Sequence, residues 1–214
     1  MGNVMSKDMS KAAVLDHWFV PQEEFPNQYK LPGVEIRRGD LTEWRGVDAI
    51  VHQGNCLTVK AHGLSAQIAN KYPWGDAYHY RRPQGFRNLA VPEDQKEPGT
   101  IQIMRNPGLD IRKGDRTFTP RKPDVIMLYA QWDFGKGGEG AYQRVPGYED
   151  NPKNREKWFR QCLDKLGTCD YYQTFAFPYK IGWGLAGGNW DHYLPMIEDF
   201  TVKYKKHVTL VKKD

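Results

Sequence analysis

The sequence predicts an α/β layered domain built on a largely parallel sheet, and three observations predict it. Apolar runs of strand length recur along the chain, VDAIVHQ (47–53) and DVIMLYAQ (124–131) foremost, too continuous for strands with one wet face. Segments of helical period stand between such runs, so strands and helices alternate. At about 150 residues per domain, 214 residues make one core with extensions.

Residues 1–33 read as an N-terminal extension, polar, with Pro21, Pro26 and Pro32 and no sustained period. The domain then runs over 34–214. VEIRR (34–38) alternates apolar and polar residues and reads as a strand. VDAIVHQ is a buried strand. LSAQIANKYP carries Leu64, Ile68 and Tyr72 at helical spacing, and Pro73 closes it. DAYHYRR (76–82) continues as a short helix, and PGTIQIMR (98–105) is a strand. A basic, Pro-containing loop insertion follows near 106–122, then the buried strand 124–131 and a glycine-rich insertion near 132–150. NREKWFRQCLDKL (154–166) is amphipathic, with Trp158, Cys162 and Leu166 on one face. TFAFP (174–178) is a strand, a helix starts at Asn189 as its cap, and HVTLV (207–211) is the last strand.

Composition narrows the function classes. No apolar run approaches the roughly 18 residues of a membrane span, and MGNVMSKDMSKAAVLDHWFV has no signal-peptide h-region. MGNVMS fits the loose N-myristoylation pattern at Gly2 and Ser6, a short and common match. Three cysteines (Cys56, Cys162, Cys169) form neither an even set nor a CxxC, which argues against a disulfide framework and a zinc site and for a reducing, cytoplasmic setting. The net charge of +5 suits an anionic ligand or a nucleic acid. Clusters at Arg81, Arg82 and Arg87, at Arg112, Lys113, Arg116, Arg121 and Lys122, and at Lys203, Lys205, Lys206, Lys212 and Lys213 read as solvated faces or as a track for a nucleic-acid backbone.

Two strand-to-helix segments carry the chemistry. In an open α/β sheet ligands sit outside the C-terminal strand ends, so polar residues there are placed at the site. Asp40 either accepts from an exocyclic amine or caps a turn, and Asn55 either meets a pair of sugar hydroxyls or holds its loop. Ala61-His62-Gly63 meets a helix N-terminus, which favours phosphate. The second segment, IGWGLAGGNW (181–190), brings four glycines and an alanine against a ligand without the Gly-Lys-Ser/Thr of a P-loop. Two such loops in one small domain imply a diphosphate held between them. His62 is the first candidate for a base or nucleophile, with His52 second; Lys60 would neutralise a terminal phosphate. Cys56 reads as packing.

GDLTE with VDAIVHQGNC, the run NCLTVKAHGLSAQIANKYP and FPYKIGWGLAGGNW together resemble the macro domain family, in that order over residues 34–212. The look is nearest to stand-alone phage and bacterial macro domains akin to ADP-ribose 1″-phosphate phosphatases. The resemblance implies a three-layer α/β/α macro domain with a mixed, largely parallel central sheet. It implies a site in which Asp40 holds the adenine amine and Asn55 meets the distal ribose, with Leu41 and Gln53 also among the ligand-binding residues. Ala61 and Gly63 line the first loop, while Gly182, Trp183, Gly184, Leu185, Ala186, Gly187 and Asn189 cradle phosphate. Trp132 and Phe134 stack near a ribose. The family's glycines in the first loop are replaced by Lys60-Ala61-His62, its helix lysine by Ala69 and that lysine's aspartate partner by Ala186.

The implied function is hydrolysis at the distal ribose of ADP-ribose, in its best-fitting form ADP-ribose 1″-phosphate phosphatase with His62, Asn55 and Lys60 as catalytic residues. A silent reader of ADP-ribose, and a hydrolase of ADP-ribosylated protein or nucleic acid, are the alternatives. Neither a cofactor nor a metal is expected.

Overall fold

The computed structural model describes residues 31–108, 122–142 and 144–213. Most of the N-terminal extension, the myristoylation match and the basic stretch from Arg112 to Arg121 lie outside the described residues. Six strands form one sheet: β1 (Gly33–Arg38), β2 (Ala49–Asn55), β3 (Thr100–Met104), β4 (Asp124–Gln131), β5 (Thr174–Pro178) and β6 (His207–Lys212). Their order is β1-β6-β5-β2-β4-β3. Every neighbouring pair is parallel except β3 against β4, so the sheet is mixed and largely parallel.

The central strands behave as their continuous apolar runs require. All eight residues of β4 are buried, and β2 is buried at every position but Gln53. Successive β2 side chains point to opposite faces. His52 reaches Ser65 of α1 (Leu64–Lys71), whereas Gln53 lies against Gly182 and Tyr193 of α3 (Trp190–Tyr204). Helices thus cover both faces, and α2 (Pro152–Gly167) packs on α3, β4 and β3. The result is the three-layer α/β/α sandwich.

Each helix starts and stops for a local reason. Asn151 caps α2 by accepting from Asn154 N at 2.8 Å, with Pro152 at the first helical position. Trp158, Phe159, Cys162, Leu163 and Leu166 form its buried stripe. Asn189 caps α3 through Asp191 N at 3.1 Å. Tyr72 ends α1 just ahead of Pro73, which cannot continue it.

Residues 76–82 are the main departure: they form turns, not a helix. Asp76 accepts from Tyr78 N at 2.9 Å, and this Asx turn offers the backbone an alternative to helical bonding. The described residues of the glycine-rich segment 132–150 form neither helix nor strand. Its backbone is gathered by Asp133, whose carboxylate accepts from Phe134 N (2.7 Å) and Tyr142 N (2.5 Å), and by a buried ion pair. Arg155 donates to both oxygens of Asp150 at 2.5 and 2.6 Å, with both side chains 2% exposed. The same guanidinium donates to the carbonyls of Asp133, Gly135 and Ala186.

Removing one member of such a pair leaves the other charged and unpaired in the interior. Arg155→Met is expected to cost about 3–5 kcal/mol in denaturant unfolding, and adding Asp150→Asn to recover part of the loss. A cost under about 1 kcal/mol for Arg155→Met would contradict the role given to the pair.

Candidate functional site

A cavity of about 710 Å³ opens beyond the C-terminal ends of β2, β4 and β5, reached by Gln53–Asn55, Gln131 and Pro178. One wall is the loop from Asn55 to α1, with Thr58, Lys60, Ala61, His62, Gly63 and Ser65. The other is the loop after β5, with Lys180, Ile181, Gly182, Gly184, Leu185 and Ala186, and Phe134 with Gly135 close one end. The volume lies in the range of small-molecule sites.

The first loop is held from behind by Asn55, as one of its two sequence readings has it, and by Arg81 and Asn88, whose role the sequence did not reveal. Asn55 Oδ1 accepts from Leu57 N (3.0 Å) and Thr58 N (2.8 Å), which leaves its amide NH2 as the group a ligand can use. Arg81 donates to the carbonyls of Asn55 (3.2 Å) and Thr58 (2.7 Å). Its guanidinium lies 4.3 Å from the Tyr78 ring centroid and 5.3 Å from that of Tyr129. Read by sequence as a surface cation, Arg81 is 6% exposed, and no carboxylate pairs with it among the described residues. A run of charges does not say which member folds inward. Asn88 Oδ1 accepts from Val59 N (3.2 Å) and Lys60 N (3.0 Å), completing the support. Arg82 is taken by Asp94 at 2.8 Å.

The second loop needs glycine at 182. Its φ is +77°, and a Cβ there would stand 2.6 Å from the Tyr193 ring and 2.9 Å from Gln53 Oε1. Turn bonds then close the loop, from Gly187 N to Trp183 O (2.9 Å) and from Gly188 N to Gly182 O (2.9 Å).

Two backbone rows remain. Among the described residues the N–H groups of Ala61, His62 and Gly63 on one wall, and of Gly184, Leu185 and Ala186 on the other, make no hydrogen bond. Unpaired amides on both sides of a cleft form an anion cradle. Among the described residues the basic side chains on the cavity are Lys60, Lys180 and His62, and no carboxylate lines it. His62 is exposed and makes no hydrogen bond among the described residues.

The remaining sequence candidates lie elsewhere. Asp40 and Leu41 stand beyond the end of β1, outside the cavity lining. The Asp40 carboxylate accepts from Thr42 N and Thr42 Oγ1, both at 2.8 Å, and these bonds lower its pKa. Trp132 is a core residue, 3% exposed, against Tyr148; of the aromatic pair only Phe134 reaches the cavity. Trp183 is half exposed beneath the Lys180 ammonium at 4.5 Å, Gly187 sits in a turn and Asn189 caps α3. Ala69 and Lys71 of α1 are off the lining, with Lys71 paired to Glu43. Cys56 is buried, as is Cys162, and burial raises the Cys56 pKa, so its thiol is inert packing. Among the described residues no group of three or more His, Cys, Asp or Glu is arranged to hold a metal ion. No described helix is long and apolar enough to cross a membrane.

His52 is inside the sheet, its Nδ1 3.3 Å from Ser65 Oγ. Burial lowers its pKa from the ordinary 6.5 to about 4. The neutral imidazole is therefore the form that folds, while the unfolded chain takes a proton near pH 6.5. Stability is full above that pH and falls at about 1.4 kcal/mol per unit toward pH 4. His52→Leu is expected to flatten this slope in urea unfolding between pH 6.5 and 4.5; an unchanged slope would assign it to other groups.

No family model matches the chain, and no curated protein matches it by sequence. Solved structures do. The macrodomain of Mycobacterium tuberculosis DarG is similar over 84% of this chain and 96% of its own, at 15% identity and TM-score 0.54. A structural-genomics protein of Bacteroides thetaiotaomicron is similar over 84% and 99%, at 20% identity and TM-score 0.55. The macrodomain of Thermus aquaticus DarG is similar over 85% and 100%, at 17% identity and TM-score 0.50. With its mixed six-stranded sheet, helices on both faces and this likeness to solved macrodomains, the chain has the macrodomain fold.

Proposed function

We propose that the cavity binds ADP-ribose or a derivative of it and that the chain hydrolyses a bond at the distal ribose, with ADP-ribose 1″-phosphate as the substrate it suits best. The observation that carries this reading is the pair of unpaired amide rows, Ala61–Gly63 and Gly184–Ala186, on opposite walls of one cavity. A diphosphate between them would receive donors from both sides, with a nucleoside and a second ribose extending either way. Asp40 and Leu41, beyond the cavity on the same edge of the sheet, would meet the adenine.

In this reading the terminal phosphate lies toward Lys60 and His62. Lys60 offsets charge on the phosphoryl oxygens, and the Asn55 amide orients the ribose. The His62 imidazole takes a proton from the attacking water as its oxygen bonds to phosphorus. The bond from phosphorus to the ribose oxygen breaks, and the proton passes to that leaving oxygen. One water is consumed; ADP-ribose and inorganic phosphate are released.

The second reading, a non-catalytic reader of ADP-ribose, is favoured by the lack of a carboxylate among the described residues of the lining. Glycosidic cleavage of an ADP-ribosylated protein or nucleic acid ordinarily calls on acidic side chains, so that reading draws least support here.

Phosphorus NMR of ADP-ribose 1″-phosphate with the purified protein tests the proposal. A growing inorganic phosphate line is expected, slowed about 10²–10⁴-fold by His62→Ala with binding retained. Shifted diphosphate lines without phosphate release would favour the reader. Full turnover by His62→Ala would remove His62 from the mechanism.

A further inference from the structure

On the floor of the cavity two glutamines form a chain with a definite direction. The Asp133 carbonyl can only accept, and Gln131 lies 3.1 Å from it, so Gln131 turns its Nε2 that way. That leaves Gln131 Oε1 as the acceptor for Gln53 Nε2 at 2.9 Å. The direction passes on, and Gln53 ends with its Oε1 away from Gln131, against Gly182. Which end of each amide is oxygen is thus set by the backbone carbonyl at the start of the chain.

The terminal oxygen is buried and, among the described residues, has no hydrogen-bond partner. Buried polar groups in folded proteins are ordinarily paired, and leaving an acceptor unmet costs free energy. Thr58 Oγ1, also on the cavity, is likewise unpartnered, but a hydroxyl adapts as donor or acceptor, whereas the Gln53 oxygen only accepts. A phosphate oxygen brought to it would meet lone pair against lone pair.

We propose that Gln53 Oε1, aimed by Gln131 and the Asp133 carbonyl, is the cavity's reader of a sugar hydroxyl, the group that fixes how the ribose end of the ligand sits and keeps phosphate off the floor. This inference rests on the ADP-ribose reading and adds to it a specificity-determining acceptor and a positioning residue, Gln131. It also divides the cavity, with amides and cations at the walls for phosphate and an acceptor at the floor for a hydroxyl.

The test is a cycle of protein and ligand changes followed by calorimetry. ADP-ribose and five analogues, each lacking one ribose hydroxyl, are titrated into the wild-type chain and into Gln53→Met. The substitution keeps the length of the side chain and removes both polar atoms. The proposal expects Gln53→Met to weaken ADP-ribose about tenfold and to leave the affinity for one of the five analogues within about twofold of wild type, because that analogue has already lost the bond. Gln131→Met frees the Gln53 amide to rotate and is expected to lose the same discrimination, which keeps the test available should Gln53→Met not fold. Equal loss for ADP-ribose and all five analogues would mean that the glutamines only shape the floor, and would overturn the proposal. A wild-type chain that binds none of the six ligands would instead overturn the ADP-ribose reading itself, and this assignment with it.

Discussion

The guanidinium of Arg155 is the point on which the site side of the molecule depends. It is taken out of water by α2, and a charge so placed has to be met on every side. The Asp150 carboxylate meets two of its donors, and the carbonyls of Asp133, Gly135 and Ala186 meet the rest. Those three carbonyls belong to two separate loops. One bears Phe134 at the end of the cavity, and the other bears the unpaired amides of its second wall. A long glycine-rich segment and a short phosphate-type loop are thereby tied to one rigid helix. The entropy of ordering them is offset by bonds that would be costly to leave unmade.

The opposite wall is built on the same logic with a different cation. Arg81 is buried against the carbonyls of Asn55 and Thr58 and between two tyrosine rings. It thus turns carbonyls of the first loop inward, away from the cavity, where they would oppose an anion. Asn88 holds the amides of Val59 and Lys60, and the next three amides are left to the cleft. Both walls are therefore arranged so that carbonyls are consumed by buried arginines and amides are left over. That asymmetry, with Lys60 and Lys180 nearby, makes a site of positive character inside a domain whose net charge is only modestly positive.

Much of this was legible in the sequence because it is periodic. DVIMLYAQ is a strand buried on both faces and could be read as nothing else at that length and composition. The stripe of α2 and the caps at Asn151 and Asn189 follow local rules, as does the stop at Pro73. The two loops were legible too, since small residues after a strand and before a helix restrict what can approach. Illegible were the partners that make the loops rigid. Arg81 looked like one of three surface cations because nothing local distinguishes a guanidinium that will find two carbonyls from one that will find water. Residues 76–82 follow directly on a helix and read as its continuation, but they turn at Asp76, whose side chain competes for the backbone. Trp132 carried the expected aromatic character and yet packs inward, so that of the pair Phe134 reaches the cavity. The direction of the Gln53–Gln131 chain depends on a backbone carbonyl, which no residue type announces.

In the function proposed, two rows of free amides on facing loops hold one anionic nucleotide ligand between them. The most direct measurement is a titration of the isotope-labelled chain with ADP-ribose, followed through its backbone amide NMR signals. Saturable shifts are expected, concentrated at Ala61, His62 and Gly63 and at Gly184, Leu185 and Ala186, moving together with one dissociation constant. Shifts confined to one of the two loops, or no shift in either at saturating ligand, would contradict it.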